Sequence, residues 1–320
     1  MLHFNIPGFY DHRTLNSYII KKSIEVKDFL KPNVKIHSVF GVFPFCAWDG
    51  GRNFLSYEQC TKEDVIAINR EYTEFGIPIR LVFTNPKIKE EHLHDRFCNM
   101  VLRECDNGIN EIVVNSPLLE DYIRTNYPNY KLISSTTKRL GKTKVLDEIK
   151  NDNYFQVCLD YDLNKNLQLL EEIPMEYRDK VEFLSNAICP AHCGYRKQHY
   201  SATGQAQLTF LRDGYSVCGR CEIDKSINHP DKLGVGNNLS FEDMLKYNEM
   251  GYNYFKLEGR TLPSAAVLSN YLYYLINPKY LFDTIEEAAT IDGIFVNDKN
   301  GILKGPVEVT EGIPFLNIIP

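Results

Sequence analysis

Long hydrophobic runs are missing from this 320-residue chain. No stretch approaches the roughly eighteen apolar residues that cross a bilayer. The opening residues Met1–Tyr10 carry Asn5, Pro7 and Gly8 rather than the apolar core of a secretory leader, so the sequence predicts a cytoplasmic protein with no membrane partner. Positive charge is also scarce. The formal net charge is −6, and Lys and Arg are scattered apart from a short cluster at Lys138, Arg139, Lys142 and Lys144, which gives no general drive toward nucleic acid. Protease signatures are lacking: there is no HExxH, no GxSxG, and no Ser or Cys with an identifiable base partner. A glycine-rich nucleotide loop after the first strand is lacking too, and Gly234-Val235-Gly236 falls too late in the chain to serve as one.

The chain does hold ordinary globular material, with 43% apolar and 24% charged residues. Short β-branched or aromatic runs at Lys35–Phe43, Ile79–Phe83, Glu111–Asn115, Lys131–Ser135, Phe155–Asp160 and Val181–Ser185 read as buried parallel strands. Helical stretches lie between them, with Thr61 and Ser116 as N-caps and Gly76 and Gly108 as stops. A late strand at Tyr252–Arg260 and a short candidate near Gly236–Leu239 bring the count to about eight β/α units. The expected fold is therefore an α/β, TIM-like (β/α)8 barrel over residues 34–283. A lead-in helix is expected in residues 1–33 and a hairpin-like extension in 284–320. The runner-up is an open doubly wound sheet.

Nine cysteines, an odd number, favour reduced thiols over disulfides. Four of them form close-spaced pairs just past the sixth strand: Cys189-Pro190-Ala191-His192-Cys193 and Cys218-Gly219-Arg220-Cys221. Four soft thiolates select an iron–sulfur cluster or zinc. Cysteines hanging from a barrel mouth favour a 4Fe-4S cluster, carried on the loop 186–222, with zinc as the alternative. A radical S-adenosylmethionine enzyme would need CxxxCxxC, and position 196 is Arg. Within the same stretch His192, Arg196, Lys197, His199, Arg212 and Arg220 would offset cluster charge or remain solvated, and His199 is also a candidate proton donor.

Active sites of parallel α/β folds form at the carboxyl ends of the strands. There the last strand alternates Lys256, Glu258 and Arg260 with apolar residues or glycine, which places three charges on one inward face. They either serve a site or form a structural ion network. The first strand of the expected barrel runs into Pro44-Phe45-Cys46-Ala47-Trp48-Asp49-Gly50-Gly51-Arg52, where Arg52 suits an anion and Cys46 faces the site or the core. Lys256, Arg260 and Arg52 would bind an anionic substrate, with Glu258 orienting it or moving a proton.

The run Glu182–Cys189 with Cys193 following resembles the signature of the collagenase-like peptidases of unknown catalytic type, peptidase family U thirty-two. Phe255–Arg260 is similar to that family's KxEGR strand, Ser240–Met244 resembles the helix start before it, and Val113–Asn115 and Ile133–Thr136 fit more loosely. The resemblance spans about residues 35 to 280. It implies a TIM-like barrel. It also implies a 4Fe-4S cluster on four cysteines that supports oxygen-independent hydroxylation of transfer RNA, ribosomal RNA or a quinone precursor, with prephenate implicated as the oxygen source. By that resemblance the ligand positions are Cys189, Cys193, Cys218 and Cys221. Cys46 is an alternative ligand, because one branch recruits a cysteine early in the barrel. The exact cysteine spacing differs from the family's, and no clear RNA-binding extension is visible. The resemblance leaves three roles open: an Fe-S-dependent oxidoreductase or hydroxylase acting on RNA or a small aromatic molecule, a peptidase as the family's name says, and a non-catalytic partner subunit stabilised by a cluster or zinc.

Overall fold

Among the described residues, eight short parallel strands close on one another in chain order in the computed structural model, which describes residues 1–51, 60–189, 191–210 and 236–294. They are β1 (Leu2–Pro7), β2 (Val34–Gly41), β3 (Ile79–Phe83), β4 (Glu111–Val114), β5 (Lys131–Ser134), β6 (Gln156–Cys158), β7 (Val181–Leu184) and β8 (Tyr254–Lys256). Each pairs with the next, and β8 returns to β1, with Phe255 opposite Phe4 and Lys256 opposite Asn5. The helices α1 (Arg13–Glu25), α2 (Lys62–Glu74), α3 (Arg96–Cys105), α4 (Pro117–Asn126), α5 (Lys142–Lys150), α6 (Leu167–Glu172), α7 (Arg196–Thr209), α8 (Phe241–Glu249), α9 (Ser264–Tyr274) and α10 (Leu281–Thr290) complete the chain order. This is the TIM-like arrangement that the alternating pattern predicts.

Local chemistry sets the helix starts. Thr61 caps α2 through the Asp64 N–H while the Asp64 carboxylate accepts from the Thr61 N–H, and Ser240 and Asp243 repeat that exchange at α8. Ser116 caps α4, whose first residue is Pro117. One of the helical stretches expected between the strands, residues 89–107, is broken at Asp95. That residue ends a 3-10 turn and caps α3 through the Cys98 N–H.

Two expectations about the barrel's limits are corrected. The barrel opens at Leu2 rather than at residue 34, so residues 1–33 supply a strand as well as helix α1. β1 escapes a search for apolar runs because its inward positions are polar. Leu2, Phe4 and Ile6 are buried, with Phe4 against Tyr274 of α9, whereas Asn5 bonds Ser38 and Glu182 within the barrel. The candidate strand near Gly236–Leu239 is instead a turn and an extended lead into α8, tied to β7's end by the Leu239 N–H to the Ser185 carbonyl. At the other end, 284–290 continue α10, and the expected hairpin from 295 onward lies outside the described residues.

The barrel centre is charged. Arg80 of β3, with no exposed surface, reaches Glu111 of β4 at 2.6 Å, Glu182 of β7 at 2.6 Å and Gln156 of β6 at 2.8 Å. The Asn5 amide adds a 2.7 Å bond to Glu182. Below, His3 stacks on Tyr254 at 5.0 Å, and the His37 ring meets Tyr254 edge-on at 5.1 Å, closing the amino-terminal end. Above lie Phe40, Val82, Val113 and Leu184, which form an apolar floor under the carboxyl-terminal mouth.

Removing one member of a buried ion network strands the others uncompensated, at about 3–5 kcal/mol. Arg80→Met should therefore lower the free energy of unfolding by about that amount in urea titration. A loss below ~1 kcal/mol would mean that the network does not hold the barrel.

Candidate active site

The mouth of the barrel holds a pocket with an empty volume of about 660 Å³, part of it open to solvent. Lys256, Glu258 and Arg260 all line it, together with Cys189. The sequence reading of a shared inward face is thus met. Each of the three charges has a different neighbour among the described residues.

Lys256 lies deepest. Its ammonium sits 4.1 Å from the centre of the Phe40 ring, and among the described residues no carboxylate lies within ion-pair distance. Burial pulls its pKa down, and the nearby Glu182 carboxylate opposes that pull. Arg260 is held at the rim. It donates to the Asp49 carboxylate at 2.8 Å and to the Gly50 carbonyl at 3.1 Å. Burial pushes the Asp49 carboxyl up to about 6, against the pull of Arg260. The turn that carries Asp49 fits tightly: a Cβ on Gly50 would come within 2.5 Å of the Thr84 backbone. Trp48 is fully buried against Phe83 and donates its indole N–H to the His92 carbonyl.

Glu258 faces the cysteine loop. Its carboxylate accepts from the Ile188 N–H at 2.8 Å, one residue before Cys189. The backbone of Glu258 is clamped to the Asn186 side chain in both directions, at 2.6 and 3.2 Å. Asp162 mirrors this arrangement. It accepts from the His192 N–H at 2.8 Å, one residue before Cys193. Asp162 also accepts from Asn237 at 2.9 Å and from Arg196 at 2.8 Å. Arg196 donates to both Asp160 oxygens and lies over the Tyr161 ring at 3.9 Å. Asp160 and Asp162 follow a strand end, where capping of the next helix is the ordinary role, and Arg196 reads in the sequence as a charge near a cluster. The structure makes them one buried knot that fixes the Cys193 end of the loop.

Cys189 and Cys193 are both partly exposed. Cys218, Cys221 and Arg52 lie outside the described residues. The loop 186–222 is not loop throughout, since it contains the fourteen-residue helix α7. That helix has no apolar period, and its middle residue Gly204 is there for contact: a Cβ at that point would meet the Asn85 side chain at 2.4 Å. Asn85 donates to the carbonyls of Gly204 and Ala47, stitching α7 to the turn after β2. His199 lies on α7 beside Tyr200, and it is Tyr200 that lines the pocket. Cys46 is almost fully buried, with its sulfur 3.2 Å from that of Cys98 on α3. Among the described residues, no three of His, Cys, Asp and Glu converge as a metal site.

The pocket also has a hydroxyl wall that the sequence does not advertise. Thr84, Ser135, Thr136, Thr137 and Tyr161 line it. Among the described residues the buried hydroxyls of Thr84 and Thr136 have no hydrogen-bond partner, whereas Thr137 is engaged by Asn115 at 2.7 Å and by Ser135 at 2.8 Å. The visible signal is a polar cluster at strand ends, which reads equally well as helix capping. Chemically, the site pairs a deep ammonium and a rim guanidinium with a donor-rich wall over an apolar floor. It suits a small anion with an apolar body.

No family model and no curated protein matches the chain. A solved structure described as that of the U32 peptidase Mk0906 is similar, with 14% identity and a TM-score of 0.48, covering 82% of this chain and 95% of the other.

Proposed function

We propose that this chain is an Fe-S-dependent oxidoreductase, of the oxygen-independent hydroxylase type, acting on a small anionic molecule bound at the barrel mouth. The observation that carries this reading is that Cys189 lines the same pocket as Lys256, Glu258 and Arg260. A thiolate ligand at the pocket wall would bring a redox centre beside bound substrate.

The two described cysteines fit cluster ligation in kind. Both are thiols, Cys189 on the pocket wall, in a stretch whose backbone is fixed just ahead of each by a carboxylate. Since no third donor converges on them among the described residues, Cys218 and Cys221 would have to complete the set. When bound, a 4Fe-4S cluster supplies one-electron transfer. The rest falls to the chain itself. Lys256 and Arg260 would bind the substrate's anionic group, and the unpartnered hydroxyls of Thr84 and Thr136 would take its oxygens. Glu258 is a positioning residue in this reading, because its carboxylate is spent on the Ile188 N–H. A net charge of −6 favours a small anion over a long polyanion such as RNA.

The reading is tested first by metal and acid-labile sulfide analysis of protein purified without oxygen. Iron and sulfide at about four each per chain, with broad visible absorption, are expected. One zinc per chain and no colour would overturn the redox function.

Two variants separate positioning from acid–base chemistry at Glu258. Glu258→Gln keeps an acceptor for the Ile188 N–H and should retain iron, whereas Glu258→Ala should lose it with little change in the urea midpoint. Equal iron in both would remove the anchoring role.

Anion recognition is read by calorimetry with benzoate against benzyl alcohol. Benzoate should bind more tightly, and Lys256→Met or Arg260→Ala should each weaken it about tenfold or more, the scale of one charged hydrogen bond. Unchanged benzoate affinity in both variants would refute the anion site.

A further inference from the structure

Cys46 and Cys98 sit outside the pocket lining, Cys46 in the turn that holds its rim and Cys98 on the adjoining helix α3. Their sulfurs are 3.2 Å apart, both residues are all but fully buried, and 52 positions of chain separate them. A disulfide needs the sulfurs at about 2.05 Å, so closure requires roughly 1 Å of movement. Cys46 lies in the tight turn after β2, where the Phe45 backbone is left-handed at φ 64° and the Cys46 N–H reaches the Phe43 carbonyl at 3.3 Å. Cys98 is in the first turn of α3, with its N–H capped by Asp95 at 2.7 Å.

The turn is tied to the site on two sides. The Cys46 carbonyl accepts from the Gln207 side chain of α7 at 3.0 Å and from the Asp49 N–H at 3.2 Å. Asp49 in turn holds Arg260.

We infer that Cys46 and Cys98 form a redox-modification site, a reversible disulfide that fastens the Asp49 turn to α3. Two S–H bonds break and one S–S bond forms, and two protons and two electrons pass to a small two-electron thiol oxidant. With diamide, the N=N bond becomes a hydrazine N–N bearing both protons. Burial holds the Cys98 thiol well above its ordinary pKa, and the adjacent Cys46 adds to this, so oxidation waits on local opening and is slow. The inference goes beyond the proposed function and does not depend on it, since neither sulfur is among Cys189, Cys193, Cys218 and Cys221, and pairing with Cys98 takes Cys46, the alternative ligand by resemblance, out of the ligand set.

The test treats the full chain, purified reduced, with diamide, followed by denaturing alkylation and peptide mapping. The expected product is a Cys46–Cys98 cross-linked peptide that dithiothreitol reverses, with a rise in Tm of about 5–10 °C from the closed loop. In Cys98→Ser the Cys46 thiol should stay alkylatable and the Tm rise should vanish. Cys98→Ala serves as a second variant should the serine hydroxyl destabilise the core. Full alkylation of both thiols after diamide, or a cross-link from Cys46 to Cys189 or Cys193, would overturn the assignment.

Discussion

One guanidinium organises the barrel interior. Arg80 on β3 reaches β4, β6 and β7, so it spans the barrel and fixes the inward faces of strands that contact one another only around the ring. Shifting any of these strands by one residue would turn its polar partner outward and leave Arg80 buried without it, which makes the network a register lock as much as a source of stability. Its charge balance also reaches the pocket. Glu111 and Glu182 outweigh Arg80 by one negative charge, and the ammonium of Lys256 lies next above, favoured by Glu182. The deep cation of the candidate site is thus supported from below by the same carboxylate that orders the core.

Much of this was legible in the sequence, for reasons that particular residues make plain. Ile79–Phe83 and Val181–Leu184 read as strands because the hydrophobic run dominates, even though Arg80 and Glu182 interrupt it. Thr61, Ser116 and Ser240 mark helix starts through side-chain bonds that need no tertiary context. β1 was hidden for the opposite reason: in a barrel with a polar middle layer, a strand can face inward with His3 and Asn5 and so never present an apolar run. Helix α7 was hidden because its sequence answers to contacts rather than to a stripe, with Gly204 making room for Asn85 and Gln207 reaching the Cys46 carbonyl.

The candidate site was half legible. Alternation along the last strand places Lys256, Glu258 and Arg260 on one face, and strand-end logic places that face at the mouth. What periodicity cannot convey is the partner of each charge. Asp49 lies 211 positions from Arg260, and Ile188 lies 70 positions from Glu258. Long-range pairs of this kind carry no local signature. The unpartnered hydroxyls of Thr84 and Thr136 are equally silent, since a threonine that caps a helix and one that waits for a ligand look alike in a sequence.

The segment from Lys256 to Arg260 also explains why the site is assembled where it is. Its three charged side chains act at successive levels: Lys256 over the apolar floor, Glu258 on the loop that bears Cys189, and Arg260 on the turn that bears Asp49. A regular strand ends at Lys256, so the two outer residues have left the sheet ladder and reach across to loops on either side. One short stretch of chain therefore sets the depth of the pocket and the placement of both walls beside it. Any change in its backbone would move the cysteine loop and the Asp49 turn together, which ties the shape of the pocket to the geometry of the adjoining thiols through rigid connections rather than through a conformational switch.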